Sequence, residues 1–91
     1  MNRILFENIH FRSEKTNDGT YIVTILKDDR NFFGINMEGC KLITTAEGFV
    51  DYELTESVKM AVDTQCSTFK EKELLIHELR NRTLNVLMMY L

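Results

Sequence analysis

The stretch His77-Glu78-Leu79-Arg80-Asn81 begins as a zinc-protease helix would, with a histidine ligand and a glutamate base, but Asn81 stands where the second histidine belongs. A zinc centre needs three or four good protein ligands, and the only other histidine is His10, so no metal site is expected. His77 is read as a helix-surface residue beside Glu73 and Asn81. Glu73 and His77 stand one turn apart and can bond. Without a pocket and a third group, however, such a pair is not an acid–base site. Serines occur only at positions 13, 57 and 67, none within a glycine-rich elbow. No dinucleotide fingerprint or P-loop is present, and the four glycines sit in or beside turn signals. The expectation is a protein without catalytic residues, cofactor or metal.

Residues that could bind form three groups. Glu47, Asp51, Glu53 and Glu56 follow one another with no base between Lys41 and Lys59. They suit a basic protein partner, because complementary charge speeds association; they equally suit a solvated edge strand and a favourably charged helix start. Phe11, Tyr21, Phe32 and Phe33 could form an aromatic platform for nucleobases, or a second core layer. Lastly, Leu84, Leu87, Met88, Tyr90 and Leu91 belong to a terminal run that is apolar nearly all round, and such a helix must be covered by something. They are assigned to an interface between subunits.

Composition narrows the choice of partner. Net charge is −3, with nine acids and six bases in residues 1–54 and five of each in 55–91. A duplex-binding protein needs a basic stripe to displace counterions, and none is present, so the composition argues against nucleic acid. Cys40 and Cys66 are read as free core thiols of a reducing compartment. Met1 to Phe11 lacks a signal peptide's apolar core and cleavage site. Val86 to Leu91, the longest apolar run, is far short of a bilayer span. A soluble, cytoplasmic protein is expected.

The elements that must position these groups are punctuated by turns. Asn17-Asp18-Gly19, Asp28-Asp29-Arg30-Asn31, Glu38-Gly39 and Glu47-Gly48 separate strands predicted at 3–12, 20–27, 32–37, 41–46 and 49–54. Short links favour neighbour-to-neighbour antiparallel pairing. The strand around Tyr21–Leu26 is apolar on both sides, which predicts a sheet covered twice.

Residues 55–91 then form a helical arm without glycine or proline. Thr55 is a good N-cap and Glu56 suits the first turn. An unbroken helix of this length would span about 50 Å, against roughly 30 Å for a globule of this size. Either the arm breaks at the weak helix formers 63–68, where Thr68 and Glu71 match a capping box, and folds back, or it projects and swaps onto a second subunit; the break is preferred.

The prediction is one α+β domain over residues 1–91, with a five-stranded antiparallel meander (1–54) and one kinked helix or two helices (55–91). By elimination, its function is that of a small intracellular protein that recognises another protein and modulates or inhibits it as a homodimer or higher oligomer. The alternative is a dimer that binds single-stranded nucleic acid on an aromatic sheet face.

Overall fold

A computed structural model describes residues 2–29 and 33–90, with side chains to residue 85. Five strands, β1 (Arg3–Glu7), β2 (Phe11–Lys15), β3 (Tyr21–Ile25), β4 (Lys41–Thr44) and β5 (Val50–Glu53), precede helices α1 (Glu56–Gln65) and α2 (Phe69–Tyr90). The strands form one antiparallel sheet in the order β1-β2-β3-β4-β5, so the α+β meander is as expected.

Two strand assignments differ from the prediction. The stretch 3–12 is not one strand, because the chain turns at Asn8: its side-chain oxygen accepts from the amides of His10 and Phe11, each at 2.8 Å. Nor is 32–37 a strand. Phe32 lies outside the described residues, residues 33 and 34 form a turn, and Ile35 makes an isolated bridge. This segment belongs to a connection from β3 to β4, in which Ile35, Met37 and Cys40 are pegged into the core. The half-buried Asp28 carboxylate holds it by accepting from the Met37 amide at 2.9 Å. The hairpins at Asn17-Asp18-Gly19 and Glu47-Gly48 close as read, with bonds from Thr16 N to Thr20 O and from Thr45 N to Phe49 O, both 2.9 Å.

Register sorts the side chains by face. Phe11 pairs with Ile25, and Val23 with Leu42, placing these residues on the helix-covered face. α1 adds Val58 and Val62, one turn apart, and α2 adds Leu79 and Thr83 at the same spacing, all buried. The helices cover only this face, and the expected second cover is not seen among the described residues. On the other face Ile22 and Ile43 are register partners, half-buried and flanked by Glu14 and Asp51. Arg12, Thr24, Lys41 and Glu53 form the row beside them.

The helical arm breaks at 66–68. Thr68 accepts from the Glu71 amide at 3.2 Å, while the Glu71 carboxylate reaches back to the Ser67 amide, also 3.2 Å. The box is thus shifted by one residue on its return bond. Asp63 and Lys72 bridge the joint at 3.1 Å. α2, about 33 Å long at 1.5 Å per residue, fits the molecule's longest extent of 41 Å.

At the start of α1, Thr55 accepts from the Val58 amide at 3.2 Å. Thr55→Ala leaves that donor unpaired and should lower stability by about 1 kcal/mol. Chemical denaturation checks this, and an unchanged midpoint would show the cap to be idle.

Candidate binding groove

The sequence-assigned acids are spread over three places. Glu47 tips the β4–β5 hairpin, Asp51 and Glu53 lie on β5 facing away from the helices, and Glu56 opens α1. Lys41 is the register partner of Glu53, and Lys59 sits 3.5 Å from Glu56. A shallow depression of about 340 Å³ beside β5 carries Asp51 and Glu53 together with Lys59 and Arg80. The fold therefore brings Asp51 and Glu53 together, sets a cation beside Glu53 and Glu56, and leaves Glu47 apart at the hairpin tip.

Neither histidine lines this depression. His10 Nε2 lies 3.2 Å from Asp29 on an exposed loop, and His77 Nε2 lies 3.4 Å from the Asn81 amide group. No group of three His, Cys, Asp or Glu is placed to hold a metal among the described residues. The aromatic set is divided: Phe11 is 1% exposed in the core, Tyr21 lies under the Lys15 ammonium at 5.4 Å, and Phe33 is on the β3–β4 connection. In the tail, Leu84 is partly exposed. The side chains of Leu87, Met88 and Tyr90, and residue Leu91, lie outside the described residues.

A different site emerges at the helix joint. Phe33, Gln65, Cys66, Leu74 and Leu75 line an open groove of about 350 Å³, with Glu71 and Glu78 at its margins. Residues 71, 74, 75 and 78 fall on one side of α2, so a leucine pair sits between two carboxylates. The break at 66–68 supplies the opposite wall by turning the end of α1 against α2. Phe33 is brought there in a left-handed conformation, φ +52°, which is unusual for a bulky residue. Its carbonyl accepts from Gln65 Nε2 at 2.8 Å, tying the loop to α1. Phe33 is 63% and Leu74 60% exposed, so both offer apolar area to a partner.

The sequence alone did not single out this groove. One signal was available: Glu71-x-x-Leu74-Leu75-x-x-Glu78 keeps helical spacing on one side. Its pairing with Phe33 and Gln65, more than thirty residues away in sequence, depends on the tertiary fold.

The cysteines are both free but unequal. Cys40 is 1% exposed, and burial pushes its thiol above the ordinary value, opposed by hydrogen bonds with Thr55. Cys66 is half-exposed on the groove wall. In native protein, iodoacetamide should modify Cys66 first, and Cys40 only as fast as the core opens. Peptide mapping over time checks the order, and equal rates would contradict this core. Compared with protein-family models, curated proteins and solved structures, the chain matches none. Among the described residues, no helix is long and apolar enough to cross a membrane.

Proposed function

We propose that this chain is a small, non-catalytic binding protein of the cytoplasm that recognises another protein and modulates or inhibits it, acting as a homo-oligomer. The observation that carries the reading is the open groove at the α1–α2 joint, with an apolar floor and exposed Phe33 and Leu74 at its edge. Small-molecule sites usually enclose most of their ligand. An open trough between exposed apolar side chains instead suits a segment of a larger partner. The free thiols support a reducing compartment. Self-association is assigned to the tail through Leu84, Leu87, Met88, Tyr90 and Leu91, on the strength of their apolar sequence. No observation favours the nucleic-acid reading, since Phe11 is enclosed in the core.

The test is quantitative affinity capture from native extract, with wild type and Leu74→Arg as baits. A partner held near stoichiometrically by wild type and lost by Leu74→Arg is the expected result. Leu74 is largely exposed, so the variant should melt like wild type. A partner retained by the variant would move the site elsewhere, and none with either bait would sink the reading. Light scattering of Leu87→Asp tests assembly separately, with reduction to monomer expected.

A further inference from the structure

We infer that the groove takes a basic, amphipathic helix: an apolar pair with a cation on either side, spaced to meet Glu71 and Glu78. This rests on the protein-binding reading above and specifies its partner. Glu71 and Glu78 are seven residues apart on α2, which places them about 10 Å apart along its axis. Leu74 and Leu75 lie between them on the same side, and both glutamates are exposed. A helix laid along α2 with the same spacing puts two apolar side chains over the leucines and its flanking lysines or arginines at the carboxylates.

Among the described residues, the groove's lining carries two carboxylates and no lysine or arginine. Lys72 is directed to Asp63 across the joint at 3.1 Å. Arg82 follows Glu78 by one turn and is half-buried, whereas the positions one turn before and after Glu71 hold no lysine or arginine. Glu71 also accepts from the Ser67 amide, which fixes its carboxylate at the groove's head. An acidic helix would meet repulsion at both margins, which gives the groove a sign preference as well as an apolar one.

The probe is a synthetic fifteen-residue helical peptide with two adjacent central leucines, a lysine three residues before the first and another three after the second. Its twin carries glutamates in place of the lysines. Binding is read by fluorescence anisotropy, and occupancy of the groove by protection of Cys66 from iodoacetamide, with buried Cys40 as the internal standard. The lysine peptide should bind in the micromolar range, protect Cys66, and bind at least about tenfold more tightly than its twin at low salt. Glu78→Lys, which leaves the α2 cap intact, should narrow or invert that preference.

Equal binding of both peptides, or binding without Cys66 protection, would overturn the inference. So would failure of both peptides while Leu74→Arg still abolishes capture of a native partner; in that case the protein-binding reading survives. Protection by a short single-chain cationic amphiphile as strong as that by the lysine peptide would assign the groove to small molecules and overturn both.

Discussion

In Leu79→Ala, about 3–5 kcal/mol of stability should be lost. Among the described residues, Leu79 and Thr83 are the only α2 side chains fully buried, and Leu75 and Ile76 are packed only partly against the core. Thr83 spends its hydroxyl on its own helix, donating to the Leu79 carbonyl at 2.9 Å, so Leu79 is the apolar anchor of α2. A domain of this length is stable by about 5–14 kcal/mol, and one cavity there removes a third or more of a mid-range value. Urea unfolding should show a lower midpoint with an unchanged slope. A changed slope would mean that α2 detaches on its own. Leu84→Ala, at a side chain 38% exposed, should stay within about 1 kcal/mol. Should the two variants prove equally mild, α2 does not dock as described.

Gly39→Ala should cost about 2–3 kcal/mol, from two sources. Gly39 has φ +86°, a left-handed conformation that disfavours any side chain by about 1–2 kcal/mol. A Cβ there would also lie 3.0 Å from the Thr55 methyl, forcing the N-cap of α1 to shift. The backbone has little room to move, since the Gly39 amide donates to the Ile25 carbonyl at 2.8 Å. Gly48 separates the two contributions. Its φ is +92°, but an added Cβ there meets nothing within 4 Å. Gly48→Ala should therefore show the conformational cost alone, and the difference between the two measures the contact with Thr55. Equal losses in both variants would show that the loop and helix start are not in contact.

What could be read beforehand was local. Asp18-Gly19, Glu47-Gly48, Thr55 and the Thr68–Glu71 box each act within four residues, so their positions are written in adjacent letters. The turn at Asn8 has no such local mark, because it contains neither glycine nor proline and depends on a side-chain oxygen bonding two amides. Ile35 and Met37 alternate as a strand would, yet their spacing serves a loop pressed onto the core. The apolar alternation was correct, and the pairing partner was missing. The doubly apolar look of β3 is met by helices on one face, while on the other Ile22 and Thr24 stand in register with Glu14 and Lys41 of the flanking strands. The groove was hidden for the opposite reason: it joins position 33 to position 65, and no local pattern encodes that meeting.

The strand order has a consequence for how quickly the molecule assembles. Each strand bonds to its neighbour along the chain, and only the link from Leu26 to Cys40 is a sizeable closure within the sheet. Ring-closure entropy is therefore met in small instalments, which places refolding near milliseconds for a mixed α/β domain. The chain also contains no proline, so no slow isomerisation can hold back part of the population. A stopped-flow trace of dilute protein should be a single exponential without a tail of tens of seconds. Any slow, concentration-dependent phase would then report subunits finding each other.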